Sequence, residues 1–256
     1  LRHSKIRKLD PKNLLGLETL DLFGSQNLEE VPLEDLPNLR TLNLSLSGIK
    51  KIDAKNFSAL ETLDLYGTKK LEEITLVNLP NFRTLKLTNS KIKKFNAKNL
   101  SDLKTLDLSS TQNLEEVSLG DLQNLRTLDL SFSGIKKIEG LETLSSLNSL
   151  KLHETQNLEE VSLGDQPNLR TLNLSFSGIK KLDAKNLSSL ETLDLCHTRE
   201  LEEVSLEDLP NLRSVNLKDS VIKKTLLLEN LENLEELDLS TLTIGESIVF
   251  RGSFKN

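Results

Sequence analysis

The 256-residue chain has one cysteine, no methionine and no tryptophan, and aromatic residues make up only 4 % of it. A single cysteine, Cys196, excludes a disulfide framework within the chain, so a reducing compartment is expected. No run of 18 apolar residues is present and no signal-peptide pattern opens the chain. The net charge of −6 disfavours nucleic acid as a partner. We therefore expect a cytoplasmic protein that associates with neither membrane nor nucleic acid.

The chain is instead rich in one six-residue phrase, Leu-x-x-Leu-x-Leu, which occurs eleven times at steps of 21 or 22 residues, with Phe82 and Val215 each replacing a leucine in one phrase. A period this strict indicates one structural unit stacked on copies of itself. Apolar and polar residues alternate within the phrase, which predicts a short strand. The central residues of the phrases are Leu20, Leu42, Leu63, Leu85, Leu106, Leu128, Leu150, Leu172, Leu193, Val215 and Leu237.

Two types of unit alternate along the chain. One type, LETLDLYGTKKLEEITLVNLPN from Leu60, has 22 residues, and the other, LRTLNLSLSGIKKIDAKNFSA from Leu39, has 21. The segments between phrases are too short and too rich in Asn, Asp, Ser and Pro for long helices, so we expect extended or 3₁₀ returns. Residues 111–137 and 155–181 are near copies, which indicates duplication of a two-unit block. Five Asn-x-Ser triplets recur with the units and are interpreted as repetition rather than glycosylation sites. They begin at Asn43, Asn56, Asn99, Asn173 and Asn186.

A hydroxyl side chain lies three positions after the last leucine of nearly every phrase. Backbone amides need partners where the chain turns out of the sheet. We predict that these hydroxyls bridge consecutive turns. The set is Ser25, Ser47, Thr68, Ser90, Thr111, Ser133, Thr155, Ser177, Thr198 and Ser220.

Charge alternates with the type of unit. Glu29–Glu30 is followed one unit later by Lys50–Lys51, and this exchange of sign continues along the chain. A noisier alternation, beginning with Glu18 and Arg40, precedes each strand. At a strand spacing of about 4.8 Å each carboxylate would lie between cations. We predict structural ion pairs that fix register, since a slip of one unit would juxtapose like charges; a partner-binding stripe is the alternative.

The repeat also predicts the domain organisation. We expect a solenoid over residues 1–242, with a partial first repeat over 1–16 followed by eleven repeats, and a C-terminal end or cap segment over 243–256. Leu1 aligns with the last leucine of a phrase, so the chain is expected to be covalently part of a longer protein. In the last segment, Ile248 and Phe250 are expected to cover the final coil.

The phrases SGIKKI after LNLS and NLEEV after LDL resemble the leucine-rich repeats of plant intracellular nucleotide-binding immune receptors. The resemblance covers nearly the whole chain. It implies a ligand-sensing and self-inhibitory region attached to an ATP-binding switch. No G-x-x-x-x-G-K-[ST] motif occurs in the chain, so that switch would lie outside it.

A second stretch, SGIKKIEGLETLSSLNSLKL from Ser133, resembles the 22-residue repeats shared by internalins and a phosphatase regulatory subunit. This resemblance implies a free-standing adaptor or regulatory subunit. The near-identical blocks leave a third interpretation open, an engineered regular scaffold.

The expected fold is thus a leucine-rich-repeat solenoid of the α/β class, mostly β with short 3₁₀ or irregular returns. We expect a curved right-handed coil with one parallel sheet of about 11–12 short strands on its concave face.

Residues that could carry chemistry are few. His153 and His197 lie two coils apart, about 10 Å by strand spacing, which is too far for one metal ion without further ligands. Cys196 and His197 are adjacent, but neighbouring strand residues point to opposite faces, so no catalytic pair is expected. The outward aspartates, of which Asp21 is the first, form a row that we interpret as solvated rather than cation-binding. We therefore predict no catalysis, no metal and no cofactor.

Departures from the repeat pattern mark a candidate binding face on the concave sheet, where we expect a protein partner. Aromatic and cationic side chains contribute most at interfaces. Phe132 and Phe176, one position further on, are expected to pack against neighbouring turns. The candidate residues are Phe23, Tyr66, Lys86, Lys151, His153, Cys196 and Lys218.

Overall fold

The chain is wound into stacked coils of short parallel strands. The computed structural model describes residues 1–11, 14–33, 36–55, 57–98 and 100–254, and two of the triplet asparagines, Asn56 and Asn99, lie outside them. The strands, in chain order, are β1 (Thr19–Asp21), β2 (Thr41–Asn43), β3 (Lys51–Lys55), β4 (Thr62–Asp64), β5 (Glu73–Val77), β6 (Thr84–Lys86), β7 (Lys94–Asn96), β8 (Thr105–Asp107), β9 (Glu116–Ser118), β10 (Thr127–Asp129), β11 (Lys137–Glu139), β12 (Ser149–Lys151), β13 (Thr171–Asn173), β14 (Lys181–Asp183), β15 (Thr192–Asp194), β16 (Glu203–Glu207), β17 (Ser214–Asn216), β18 (Val221–Ile222), β19 (Thr225–Leu231), β20 (Glu236–Asp238), β21 (Thr243–Ile244) and β22 (Ser247–Phe254).

The leucine phrases form one eleven-stranded parallel sheet, which we call the long sheet. Its strand order is β1-β2-β4-β6-β8-β10-β12-β13-β15-β17-β20. Each phrase pairs with the next in the same register, so that Leu20 lies beside Leu42 and, at the far end, Val215 lies beside Leu237. The predicted parallel sheet, built from the eleven phrases, is therefore confirmed.

The return segments form further parallel strands and almost no helix. β7, β9 and β11 make one small sheet, and β14, β16, β19 and β22 make another, while β3 pairs with β5 and β18 with β21. A short 3₁₀ turn occupies Leu141–Thr143. The prediction of extended or 3₁₀ returns is confirmed. No helix in the described ranges is both long and apolar enough to cross a membrane.

The core is a continuous stack of aliphatic side chains between the long sheet and the returns. Inward leucines such as Leu42 and Leu44 are fully buried. Gln166 is a buried exception at the place that Leu122 takes in the preceding near copy. Its Nε2 donates to the carbonyl oxygens of Leu141 and Leu163, at 2.8 and 2.9 Å. The amide therefore ties its coil to the 3₁₀ turn of the coil before it.

The buried hydroxyl row divides into a class that donates a hydrogen bond and a class that does not, so the prediction that all of its members bridge consecutive turns is wrong. In coils of the longer type the threonine donates to a carbonyl of its own coil, as Thr68 Oγ1 does to Leu65 O at 2.7 Å. Ser25 and Ser220 do bridge, since the Oγ of Ser25 donates to Leu1 O at 3.3 Å and that of Ser220 to Leu195 O at 2.7 Å. Four serines have a buried Oγ with no hydrogen-bond partner among the described residues. They are Ser47, Ser90, Ser133 and Ser177.

A ladder of asparagine side chains joins consecutive coils just before the strands of the long sheet begin. The sequence pattern did not predict it. Each side-chain Nδ2 donates to a backbone carbonyl 23 residues earlier, as Asn81 does to Ser58 O at 2.7 Å. Buried or bridging amides of this kind link adjacent coils through the backbone. The donors are Asn38, Asn81, Asn124, Asn168, Asn211 and Asn233.

The alternating charges form ion pairs between coils, which confirms that part of the prediction. Lys94 Nζ lies 2.7 Å from Glu116 Oε2, and Lys51 Nζ lies 2.9 Å from Glu73 Oε2. The hydrogen bond to Glu116 raises the pKa of Lys94 and lowers that of the glutamate. These side chains are exposed to solvent, so each pair adds little to the stability of the fold. Their stronger effect is on register, because a slip of one coil would place like charges together.

At the C-terminal end, β22 lies parallel to β19 as the last strand of the four-stranded sheet formed by β14, β16, β19 and β22. Ile248 pairs with Leu226, and Phe250 pairs with Leu228. Both pairs place an apolar residue over a buried leucine of the preceding coil, while Ile248 and Phe250 themselves stay 37 % and 54 % exposed.

The close packing of adjacent coils can be tested at a glycine that has no room for a side chain. An added Cβ at Gly134 would lie 2.2 Å from the carbonyl oxygen of Gln112, which is rigid backbone. We expect Gly134→Ala to reduce the free energy of unfolding by about 1–3 kcal/mol, as overpacking does. Gly120→Ala is the matched control, since nothing lies within 4 Å of its added Cβ. Urea unfolding of both variants checks this, and equal midpoints would contradict the close-contact explanation.

The two classes of hydroxyl predict opposite responses to removal. Thr68→Val loses the hydrogen bond to Leu65 O and should cost about 0.5–1.5 kcal/mol. Ser90→Ala removes a buried Oγ without a partner and should be neutral or stabilising, because that group is desolvated without compensation. Urea unfolding of the two variants measures both effects. A loss for Ser90→Ala equal to that for Thr68→Val would contradict the division.

Candidate functional site

The outward face of the long sheet carries a row of aspartates and asparagines with a structural role. Each side chain accepts the backbone N–H two residues further on, as Asp64 Oδ1 does from Tyr66 N at 3.0 Å. This geometry is an Asx-turn, which holds the chain where it leaves the strand. The members are Asp21, Asn43, Asp64, Asp107, Asp129, Asn173, Asp194, Asn216 and Asp238.

This role explains the acidic row without a bound cation. Among the described residues, no group of three or more His, Cys, Asp or Glu side chains is placed to hold a metal ion. Burial on its own would raise the pKa of Asp21, but the Phe23 N–H and the Arg2 guanidinium outweigh it and lower that pKa. Asn43 and Asn173, which begin two of the Asn-x-Ser triplets, belong to the same row.

Two lysines replace the Asx residue and break the row. Lys151 Nζ lies 3.7 Å from Asp129 Oδ2 in the neighbouring strand. Lys86 is exposed, and its amine has no partner within the described part of the chain. Lys86 is therefore a cation on the sheet that the fold itself does not use.

The other candidate residues occupy one column, directly after the last leucine of a phrase. Phe23, Tyr66, His153, Cys196 and Lys218 each take this position in a different coil. The structure thus brings the seven candidates to one edge of the long sheet but not into one cluster. Candidates that lie in the same coil or in adjacent coils form three pairs. These are Tyr66 with Lys86, Lys151 with His153, and Cys196 with Lys218.

Phe23 is held apart at the N-terminal end of this column. The ring of His3 meets it edge-on with centroids 5.3 Å apart. The Arg2 guanidinium lies 5.8 Å from the ring centroid. Phe23 is consequently half-buried by its neighbours and presents less free surface than Tyr66, which is 41 % exposed.

The next position along the chain forms a row that the sequence analysis missed. Its residues have positive φ, between 52° and 71°, and each N–H except the last donates to a carbonyl of the following coil, as Phe132 N does to His153 O at 2.9 Å. We call it the left-handed row. Its members are His3, Gly24, Leu46, Gly67, Asn89, Ser110, Phe132, Glu154, Phe176, His197, Asp219 and Thr241.

Phe132 and Phe176 belong to this row and, as predicted, pack against the neighbouring turn, where each ring contacts a histidine, yet neither side chain is buried. They are 49 % and 39 % exposed. The left-handed backbone conformation, imposed by the hydrogen bond to the next coil, turns the side chain away from the core. The signal that could have revealed the row was the recurrence of Gly24, Gly67 and Asn89 at this place, because these residues adopt positive φ at low cost.

Both phenylalanines contact a histidine. The Phe132 and His153 rings meet edge-on at 4.9 Å, and His153 Nδ1 lies 2.8 Å from Ser131 Oγ. The Phe176 and His197 rings stack at 4.3 Å. His197 Nε2 in turn lies 3.3 Å from Asp219 Oδ2. Each histidine is thereby committed to an aromatic contact and one polar partner.

Cys196 does not have the environment of a nucleophile. Burial raises the pKa of its thiol, and the carboxylates of Asp194 and Asp219 raise it further. A reactive cysteine needs the opposite shift, since the thiolate is the nucleophile. The Cys196 thiol therefore stays protonated at neutral pH, and His197 faces Asp219 instead of acting as its base.

Comparison with known proteins agrees with this architecture. The family model of the leucine-rich-repeat domain of the endo-β-N-acetylglucosaminidase EndoS matches residues 112–220. The functional domain of InlJ from Listeria monocytogenes is 18 % identical, with a TM-score of 0.67 over 99 % of this chain. This chain has the leucine-rich-repeat fold. No curated protein sequence matches it.

Two receptor structures share the leucine-rich-repeat fold at lower similarity. Toll from Drosophila, solved in its complex with Spatzle, is 16 % identical with a TM-score of 0.52 over 93 % of this chain. TLR13, solved in a complex with ssRNA13, is 18 % identical with a TM-score of 0.52 over 90 % of this chain. The chain spans 54 % of the InlJ structure, 40 % of Toll and 37 % of TLR13. Leucine-rich-repeat folds typically serve as interaction scaffolds without catalysis.

The Asx-turns of this leucine-rich-repeat sheet predict a measurable titration. The hydroxyl and the backbone N–H of Ser240 lower the pKa of Asp238 below its ordinary value of 3.8. A carboxylate with a lowered folded-state pKa stabilises the fold above its unfolded pKa, and that contribution is lost as the pH falls through the lowered value. An NMR titration of Asp238 should therefore have its midpoint below 3.8, and Ser240→Ala should raise it. A wild-type midpoint at or above 3.8 would rule out this role.

Proposed function

We propose that the chain is a non-catalytic protein-recognition scaffold whose ligand face is the long sheet and the edge at which its strands end. One observation carries this proposal. Leu46, Tyr66, Phe132 and Phe176 are large apolar residues with 38–49 % exposure, and all four lie at this edge. Exposed apolar groups concentrated on one edge mark interaction sites, and aromatic side chains are the most frequent anchors at protein interfaces.

Charge favours a protein over a nucleic acid as the ligand. The outward row of the sheet is mainly acidic, and the chain carries a net charge of −6. A phosphate backbone would be repelled by such a face, since nucleic-acid affinity depends on cations. The exposed Lys86 and Lys218 would instead pair with individual carboxylates of a protein partner.

Two observations bear on which kind of leucine-rich-repeat protein this is, and they favour different families. The similarity in fold to the InlJ domain extends over 99 % of the chain, which favours an internalin-like recognition module. The SGIKKI and NLEEV phrases favour the sensing and self-inhibitory region of a plant-type immune receptor. We propose the internalin-like module first, as part of a longer protein, and keep the receptor region as the second candidate. The lone free thiol of Cys196 supports a reducing, cytoplasmic location in either case.

The ligand face can be tested by charge substitution at Tyr66 and Lys86, which lie in adjacent coils. A partner is first isolated from an extract of the source organism, identified by mass spectrometry and purified. Its affinity for the wild-type chain and the variants is then measured by calorimetry. Tyr66→Asp and Lys86→Glu should each weaken binding about tenfold, the effect of losing an interface anchor.

The control for this experiment is Lys98→Glu, which changes an exposed lysine beyond the return strand β7. This variant should bind like the wild type. If it weakens binding as much as Tyr66→Asp does, or if the two sheet variants bind normally, the long sheet is not the ligand face.

A further inference from the structure

The left-handed row contains residues that its backbone conformation disfavours. Gly24, Gly67 and Asn89 adopt positive φ at little cost, whereas Phe132 and Phe176 have φ of 56° and 55° with a bulky side chain. Burial compensates only in part, because the two residues remain 49 % and 39 % exposed. Folding alone therefore gives no reason for phenylalanine at these two positions, and strain of this kind concentrates at functional sites.

Each phenylalanine forms a platform whose shape is fixed by its neighbours. Phe132 meets His153, which is held by Ser131 Oγ, and Phe176 stacks on His197, which faces Asp219. An aromatic ring that is fixed in place loses little conformational entropy when a ligand packs on it. We call the two pairs the aromatic platforms.

The spacing of the aromatic platforms selects one ligand conformation. Two coils separate Phe132 from Phe176, which is about 9.6 Å at the spacing of parallel strands. A polyproline II helix repeats every three residues, or about 9.3 Å. An extended strand presents one face at about 6.7 Å and again at about 13 Å, and neither distance matches.

Charge between the platforms adds a preference for a basic residue. Glu154 occupies the left-handed row in the coil that separates Phe132 from Phe176. Its carboxylate has no cationic partner among the residues that the structure describes. A ligand that crosses both platforms passes this carboxylate midway, so a lysine or arginine there would form an ion pair.

We infer that the aromatic platforms bind a proline-rich, basic segment of a protein in the polyproline II conformation, with prolines three residues apart packing on Phe132 and Phe176. This inference rests on the proposed function and names the class of partner. Proline rings pack well on aromatic faces, and the polyproline II conformation is preformed, which limits the entropy lost on binding.

The test uses a fluorescein-labelled probe peptide of repeated Pro-Lys-Ala, ending in proline, whose prolines lie three residues apart. Its isomer of the same composition has prolines two residues apart. Fluorescence anisotropy should show that the wild-type chain binds the probe at least tenfold more tightly than the isomer, because only the probe matches the platform spacing.

Substitutions in the left-handed row identify the binding residues without disturbing the fold. Phe132→Asn and Phe176→Asn place in the row the residue type that Asn89 already supplies there. Each should weaken probe binding about tenfold while leaving the thermal midpoint equal to or above that of the wild type. Ser110→Asn is the matched control in the same row, outside the platforms, and should bind the probe normally.

The predicted preference for a basic residue in the ligand is tested by a separate variant. Glu154→Gln should weaken binding of the lysine probe severalfold and leave unchanged the binding of a probe in which glutamine replaces lysine. A loss that is equal for both probes would overturn the ion pair with Glu154.

Three results would overturn the inference: failure of the wild-type chain to bind the probe, equal binding of the isomer, or a loss in Ser110→Asn equal to that in Phe132→Asn. Failure here is distinguishable from failure of the proposed function. If the probe does not bind but Tyr66→Asp still weakens the purified partner, the scaffold role stands and only the proline-rich ligand is wrong.

Discussion

Hydrogen bonds between successive coils are the constraint from which most features of this protein follow. The long sheet keeps one register through all eleven strands, and the bonding continues past the strand ends, where Leu44 N donates to Asp64 O and Leu46 N to Tyr66 O. A backbone group that is buried without a partner is costly, so each coil must repeat the path of its neighbour. The leucine columns, the Asx-turns and the left-handed row are consequences of this repetition, because each places the next donor or acceptor where the adjacent coil needs it.

The same constraint separates positions that serve the fold from positions that do not. At the left-handed row the fold requires positive φ and nothing from the side chain, which Gly67 and Asn89 satisfy. Phe132 and Phe176 also have positive φ, which is energetically unfavourable for a bulky residue, and their side chains remain 49 % and 39 % exposed. The fold therefore gains less from phenylalanine at these positions than from glycine or asparagine. The hydroxyl row also contains unfavourable positions, since Ser133 and Ser177 bury an Oγ that has no partner among the described residues. The threonines of alternate coils donate to carbonyls instead.

Periodicity explains which parts of the structure could be predicted. The long sheet, its register and pairs such as Lys94 with Glu116 follow from a repeat of 21 or 22 residues, because equivalent residues must stack. The left-handed row could not be derived from hydrophobic alternation, because its side chains do not point into the core and its residue types vary from coil to coil. The partners of the hydroxyls could not be predicted either, because the pattern places Thr68 and Ser90 at the same position of their units and does not show which carbonyl lies within reach of each hydroxyl. The sequence pattern predicts that the candidate residues lie on the sheet or near its strand ends, where the structure has them, while their part in binding stays a prediction. The exposure of Phe132 and Phe176 could not be predicted, because it depends on the positive φ of the left-handed row.

The Asx-turns narrow the positions from which ligand specificity can arise. Nine of the eleven positions in that row hold an aspartate or asparagine that accepts a backbone N–H, so replacing one would disturb the turn at the strand end. Only Lys86 and Lys151 depart from this role within the row. Variation that leaves the backbone bonds intact is permitted one and two residues later, in the column of Tyr66 and in the left-handed row. Because solenoids fold through contacts between neighbouring coils, substitutions there alter the surface without altering the winding. The edge of the sheet, more than its centre, is therefore where this fold accommodates a binding site.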